Sequence, residues 1–302
     1  MLTLPTRFMK NKLKDPPEYL SAGVSSRRLP QPLIKFLRRI VNRLAGFTKF
    51  NATYAGVIAE GIPDNLAECF LKHIAVEVEI NRGGLERIPR AGPLIVVANH
   101  PFGMVDGLML NAVMTSIRPD YKCLALYELG KIPGFGRTQF VVDPMKGRKR
   151  RINLAAWHAV FKWVKGGGVF AIFPAGRASR FSFRHRRVTD ISWSRHAAAL
   201  AKRTGAPVLP VYFPGRNGIL FQIIGLIYGE LQNFLLIPIF NRMHGRRFKV
   251  LIGDVIQPDE LRAIDSDQQV IDYFRDRTYG LAARVESAQY VQLPGAGSST
   301  IS

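Results

Sequence analysis

Cysteine is nearly missing: the 302 residues hold two, Cys69 and Cys123, with no C-x-x-C between them. That excludes a disulfide scaffold and a cysteine-based zinc site, and two distant thiols suit a reducing compartment. Long apolar runs are missing too. The opening MLTLPTRFMKNKLKDPPEYL has no uninterrupted apolar stretch of the length a secretory signal requires, so none is expected. A membrane-spanning helix needs about 18 consecutive apolar residues. The nearest approach, Ile219–Phe240, is broken by Gln222, Glu230, Gln232, Asn233 and Pro238. This segment is expected to be buried or to lie in an interface, a re-entrant hairpin being the alternative. Acid is scarce, with 22 Asp+Glu against 43 Lys+Arg and a formal net charge of +21. That excess is beyond what solubility needs and implies an anionic partner: nucleic acid, an anionic lipid surface or an acidic carrier. A disordered basic tail is excluded, because 47% hydrophobic residues suffice to bury a core.

The order of the chain suggests an arm, a core and a tail. Residues 1–30 carry Pro16, Pro17 and Pro30 among scattered charges, as a loosely ordered arm would. From Pro32, Leu33, Leu37, Ile40, Val41, Leu44 and Phe47 recur at helical spacing, with Lys35, Arg38, Arg39, Arg43 and Lys49 largely between them. This is a basic amphipathic helix. Its stripe either packs on the main domain or lies on an anionic membrane, with arginines at phosphate level and Phe36 or Phe47 toward the acyl chains. Thr53–His73 reads as helical around a break at Pro63. Strand signals then alternate with helix signals. Strands are expected at Val76–Ile80, Leu94–Ala98, Tyr121–Leu126, Val169–Phe173, Val208–Phe213 and Phe248–Gly253. Helices are expected at Asp106–Met114, Arg148–Lys165, Ser194–Thr204 and Gln269–Arg284. Alternation of this kind predicts an α/β fold with a mostly parallel sheet flanked by helices. The expected division is 1–65 for the arm and membrane-facing amphipathic helices, 66–290 for the α/β domain, and 291–302 for a disordered tail.

One stretch carries candidate chemistry: Leu94–Ala98, then Asn99-His100-Pro101-Phe102-Gly103-Met104-Val105-Asp106. Sites in open α/β sheets form at the carboxyl ends of strands, where His100 falls. Asp106 can reach back to one imidazole nitrogen. In the first turn of a helix it is expected to stay ionised, orienting the ring and supporting the imidazolium. A loop histidine beside a capping aspartate fits the same residues. The chain has no G-x-S-x-G elbow and no metal-spaced histidine pair. A base without an enzymic nucleophile suits activation of a substrate hydroxyl or amine for direct attack on an activated acyl group. Arg177, Arg180 and Arg216 follow strand ends, where guanidinium forks suit phosphate or carboxylate, with ion pairing or simple exposure as the alternative for each. Glu128 is either an arginine's structural partner or a substrate contact. The runs Arg148–Arg151 and Arg184–Arg187 read as solvated or lipid-facing patches.

Four blocks in order extend this reading: Asn99–Asp106, Tyr127–Gly136, Phe173–Arg177 and Val208–Arg216. Together, over roughly Leu85–Pro258, they resemble the glycerolipid acyltransferase family, which includes bacterial lysophosphatidate acyltransferases. The resemblance is nearest to the hemolysin-like and lyso-ornithine-lipid O-acyltransferase branch, with its His-Pro-Phe-Gly opening and Phe-Pro-Ala-Gly third block. It implies that His100 is the general base and Asp106 its orienting partner. It also implies that Phe173, Pro174, Gly176 and Arg177, with Arg180, hold the acceptor's head, and that Glu128 and Gly136 belong to the second block and Pro210 to the fourth. Two positions depart from the family pattern. Five residues, not four, separate His100 from Asp106, the extra one being absorbed at the Gly103 turn, and Ala175 stands where the third block usually has Glu. The implied function is transfer of a fatty acyl group from acyl carrier protein or CoA to a lysolipid hydroxyl. The implied setting is a peripheral one, at the cytoplasmic face of a bacterial inner membrane. No metal, no cofactor and no nucleic acid is expected. A non-catalytic basic lipid- or nucleic-acid-binding protein is the competing expectation, although no zinc-finger or RNP signature is found.

Overall fold

A computed structural model describes residues 30–130, 132–142, 150–227 and 232–293. The arm before Pro30, the Arg148–Arg151 side chains and the tail from Pro294 lie outside the described residues. The strands are β1 (Glu77–Asn81), β2 (Leu94–Ala98), β3 (Tyr121–Leu126), β4 (Gln139–Val142), β5 (Val169–Ile172), β6 (Arg180–Ser182), β7 (Arg187–Thr189), β8 (Val208–Tyr212), β9 (Arg247–Ile252) and β10 (Tyr290–Gln292). The helices are α1 (Gln31–Leu44), α2 (Phe47–Val57), α3 (Leu66–His73), α4 (Met104–Thr115), α5 (Tyr127–Gly130), α6 (Arg150–Lys165), α7 (His196–Thr204), α8 (Ile219–Ile227), α9 (Gln232–Asn241), α10 (Pro258–Arg262) and α11 (Asp267–Gly280).

The main sheet runs β10-β1-β9-β8-β2-β5-β3-β4, and β6 and β7 form a separate hairpin. Strands β8, β2, β5, β3 and β4 are mutually parallel. Strand β9 is parallel to β1 but antiparallel to β8, and β10 is antiparallel to β1. The central strands read as unbroken apolar runs because both of their faces are covered. Leu94, Val96 and Ala98 of β2 enter one core with Phe70, Met109 and Phe240, while Ile95 and Val97 enter another with Val160, Ala197 and Phe274. Strand geometry, which sends successive side chains to opposite faces, divides them so.

Local signals set the helix ends. Asn65 accepts the Glu68 N–H at the start of α3, and Ser266 accepts that of Gln269 at the start of α11. The helix α7 ends on Gly205 in the left-handed conformation. Gln139–Val142, Arg180–Ser182, Arg187–Thr189 and Tyr290–Gln292 were not expected as strands. Each is three or four residues long, too short for alternation to register. The tail boundary at 291 is corrected. Val291 and Gln292 pair with β1, and the buried Leu293 donates its N–H to Val78. The last helix also stops early, at Gly280, with Leu281–Arg284 continuing as a 3-10 turn.

Most of the stripe of α1 stays open, although Leu37 and Phe47 are half-buried and Ile34 is buried. Leu33, Phe36, Ile40, Val41 and Leu44 are exposed, Leu44 at 81%. The apolar segment after Ile219 forms α8 and α9. Phe221, Ile237 and Phe240 are buried, but Ile219, Leu220, Ile223 and Leu226 are exposed. Among the described residues no helix is long and apolar enough to cross a membrane.

Candidate active site

Because β8, β2 and β5 are parallel neighbours, the loops that leave their carboxyl ends lie side by side. The loop after β2 begins with a clamp. The Asn99 side chain donates to the Phe213 carbonyl at 2.9 Å and accepts the Phe213 N–H at 2.7 Å, joining the ends of β2 and β8. His100 follows, its carbonyl accepting the Ser179 N–H at 2.7 Å. The chain then turns through Gly103, whose φ of +77° is a conformation that favours glycine. A Cβ there would also meet Leu236 of α9 at 2.7 Å.

This turn returns Asp106 to His100. Asp106 Oδ2 lies 3.0 Å from His100 Nδ1 and accepts the N–H groups of Phe102 at 2.8 Å and Gly103 at 3.0 Å. The separation of five residues is thus accommodated by the glycine turn. Asp106 is fully buried, whereas His100 keeps 18% of its side chain exposed. Burial pushes the Asp106 carboxyl above its ordinary value, and the His100 interaction and the two backbone amides pull it back. The helix terminus is therefore not the main influence on its charge. The pairing leaves Nε2 as the imidazole nitrogen that does not face Asp106.

The loop after β5 supplies a ring. Phe173 stacks on His100, with centroids 4.1 Å apart and planes 24° from parallel, and also approaches Phe213 at 6.4 Å. Pro174 is buried and accepts the Ser194 N–H, while the exposed Gly176 closes a tight turn by donating to the Phe173 carbonyl. Arg177 is exposed, and Arg180 at the start of β6 lies partly buried with Nη1 3.5 Å from the Gly225 carbonyl. Burial first, and then the Arg177 charge, push the Arg180 guanidinium below its ordinary value. Arg216 is exposed on the loop after β8. The backbone of Glu128 lies in α5 after β3, and its side chain is outside the described residues. Pro210 lies within β8 rather than at its end, its carbonyl accepting the Gly253 N–H.

Sequence reasoning missed Asp190. This buried carboxylate accepts the Ser179 hydroxyl at 2.6 Å and the Trp193 indole N–H at 2.8 Å, with the His100 N–H at 3.4 Å. Its own backbone is held by the Tyr279 hydroxyl, which accepts the Asp190 N–H, and by Arg275, which donates to its carbonyl. Asp190 therefore ties the loop after β2 to the hairpin and to α11. An isolated Asp in V-T-D-I gives no signal, because its partners are remote in the chain. Among the described residues, no group of three or more His, Cys, Asp or Glu could hold a metal ion.

The chain is similar to known acyltransferases. Residues 79–214 match the model of the Acyltransferase family. The chain is 23% identical over 274 residues to the lyso-glycine lipid O-acyltransferase of Phocaeicola vulgatus, covering 86% of this chain and 91% of that protein. It is 24% identical over 266 residues to the enzyme of the same name from Bacteroides thetaiotaomicron, covering 84% and 91%. Among solved structures it resembles the crystal structure of the 1-acyl-sn-glycerophosphate acyltransferase PlsC of Thermotoga maritima, with a TM-score of 0.48 and 19% identity over 83% of this chain and 86% of that one. These matches support an O-acyltransferase, similar to lysolipid O-acyltransferases and carrying an Acyltransferase-family domain at residues 79–214, over a non-catalytic basic module.

Proposed function

We propose, with that similarity as the premise, that the protein moves a fatty acyl group from a thioester of acyl carrier protein or CoA to the free hydroxyl of a lysolipid at an anionic membrane surface. The observation that carries the proposal is the pair of His100 and Asp106, 3.0 Å apart at the carboxyl end of β2. His100 Nε2 takes the acceptor's hydroxyl proton as its oxygen attacks the thioester carbonyl. The Asp106 carboxylate supports the imidazolium at Nδ1. Collapse of the tetrahedral intermediate breaks the carbon–sulfur bond, and the departing thiolate takes the proton from His100. No acyl-enzyme forms, so the kinetics are sequential. General-base assistance of this kind contributes about 10²–10⁴ in rate.

The acceptor in this reading is a lyso-aminolipid. The Phocaeicola and Bacteroides relatives are both named for lyso-glycine lipid, and Ala175 departs from the third-block acid expected where glycerol phosphate is the acceptor's core. Arg177, Arg180 and Arg216 receive its anionic head, with Phe173, Pro174 and Gly176 shaping the loop between them, and Glu128 is assigned to the same acceptor side. The open stripe of α1, edged by Lys35, Arg39 and Arg43, supports peripheral attachment to the cytoplasmic leaflet of a bacterial inner membrane. Basic residues near an anionic surface contribute about 1 kcal/mol each, so that attachment weakens with salt.

Lipid extracts of cells expressing the wild type or His100→Ala, with purified enzyme assayed on lyso-glycine lipid, lyso-ornithine lipid and lysophosphatidate, test the reading. The expected result is an O-acylated aminolipid that appears only with the wild type. Acylation of lysophosphatidate alone would overturn the acceptor assignment, and activity retained by His100→Ala would overturn the base.

A further inference from the structure

The helix α8 has its polarity inside out. Its sequence ILFQIIGLI contains no charged residue. Its single polar side chain, Gln222, is 8% exposed, accepting the Phe181 N–H at 2.8 Å and donating to the Asn217 carbonyl at 3.2 Å. The exposed positions are apolar: Ile219 at 77%, Leu220 at 61%, Ile223 at 48% and Leu226 at 44%. Spacings of one, three and four place these on one face of the helix. A helix with water on its outer side shows the opposite arrangement. The neighbouring β6–β7 hairpin repeats the pattern in miniature. Phe183 at its tip is 75% exposed, and Arg184, His185, Arg186 and Arg187 are exposed beside it.

Helix and hairpin are fixed to each other by the Phe181–Gln222 bond and the contact of Arg180 with Gly225. Both are also fixed to the loop that carries His100. Ser179, just before β6, donates its N–H to the His100 carbonyl, and a Cβ on Gly215, just before α8, would lie 2.6 Å from the Phe102 ring. An apolar ridge edged by guanidinium groups complements one kind of surface, acyl chains beneath anionic head groups.

We propose that α8 and the β6–β7 hairpin form a bilayer-docking surface, distinct from α1, that holds the His100 edge of the sheet against anionic lipid. The inference rests on the reading of the substrate as a membrane lysolipid. On this surface, Ile219, Leu220, Ile223, Leu226 and Phe183 enter the acyl region, Arg184 and Arg187 lie at phosphate level, and a lysolipid reaches His100 without leaving the bilayer. The acidic acyl carrier protein is the other anionic body the arginines could meet, but it would leave the apolar ridge in water.

The test uses full-length His100→Ala protein, so that it does not depend on turnover, with Leu220→Trp as a local reporter. Mixed phosphatidylcholine/phosphatidylglycerol vesicles with brominated acyl chains should quench the added indole beyond the quenching of the native tryptophans in the parent. The triple change Ile219→Ser, Leu220→Ser, Ile223→Ser, made at exposed positions, should weaken vesicle affinity roughly tenfold or more. Arg184→Gln with Arg187→Gln should reduce the preference for phosphatidylglycerol while leaving binding to pure phosphatidylcholine unchanged. Vesicle binding with no quenching of the added Trp, or quenching only by acyl carrier protein, would overturn the docking surface. The acyltransferase reading would still stand on the assays of His100.

Discussion

The Phe173 ring lies over the His100 imidazole at a centroid distance of 4.1 Å, 24° from parallel. Asp106 holds one edge of the same imidazole, 3.0 Å from Nδ1. A carboxylate at the edge and a ring against the face restrict rotation about both side-chain torsions. The base is thus held before substrate arrives, and small misplacement of a reacting group costs about 10²-fold in rate. Phe173→Ala should lower kcat roughly 10- to 100-fold with a smaller change in KM. Phe173→Leu, which keeps bulk on the same face, should recover part of that loss. Steady-state kinetics of the two variants check this, and a pure KM effect would assign Phe173 to acceptor binding instead.

Asp106→Asn keeps an oxygen for the Phe102 and Gly103 amides but removes the charge beside His100. Activity should fall by about 10²–10⁴, as for His100→Ala. Stability should behave differently. A carboxyl whose pKa is raised by burial holds its proton more tightly folded than unfolded, so its contribution worsens as pH rises from the ordinary carboxylate value of 3.8 through the raised one. Asp106→Asn lacks that slope. Thermal denaturation across pH 4–8 should therefore show the variant gaining on the wild type as pH rises, and a variant that loses ground to the wild type as pH rises would reverse the sign assigned to Asp106.

Asn99→Ala strips partners from both the N–H and the carbonyl of Phe213 in a buried site. Each group left unpaired costs about 1–3 kcal/mol. Chemical denaturation should show a loss in that range or above, while loss below 0.5 kcal/mol would mean that β2 and β8 are joined by the ladder alone.

Asp190→Asn preserves shape and leaves an acceptor for Ser179, but turns an amide toward the Trp193 indole N–H. A loss of about 1–3 kcal/mol is expected, together with a lower kcat, because the same carboxylate faces the His100 amide. Ser179→Ala removes one bond and should cost less. Denaturation and kinetics on the pair separate the contribution of Asp190 to folding from its contribution to the loop.

Cys123 is buried, and burial pushes its thiol up to about 11, whereas Cys69 is half-buried. Iodoacetamide at pH 8 should label Cys69 and spare Cys123 in the native protein, and label both after denaturation. Peptide mass spectrometry reads the difference, and rapid native labelling of Cys123 would show that β3 opens.

The architecture was legible because its main signals are local. Runs such as Leu94–Ala98 and Val169–Ile172 are apolar throughout since both faces of β2 and β5 are buried. His100 and Asp106 lie within one loop and one helical turn, so their pairing could be read from spacing with a glycine between them. Strands β4, β6, β7 and β10 escaped because three or four residues carry no measurable period, and β10 is fixed by pairing with β1, some two hundred residues earlier.

By itself the sequence determined an α/β chain of high positive charge, with a histidine–aspartate pair at a strand end, one basic amphipathic helix and one interrupted apolar stretch. The tertiary structure decided what those features face. It set Phe173 on His100, Phe213 against Asn99 and Asp190 behind the loop, and it left the apolar sides of α1 and α8 open instead of covered. Periodicity specifies that a helix has an apolar face, but only the packing of distant elements determines whether that face meets the core or remains free. Strand order likewise determines which remote side chains meet, since β8, β2 and β5 are neighbours in the sheet and far apart in the chain.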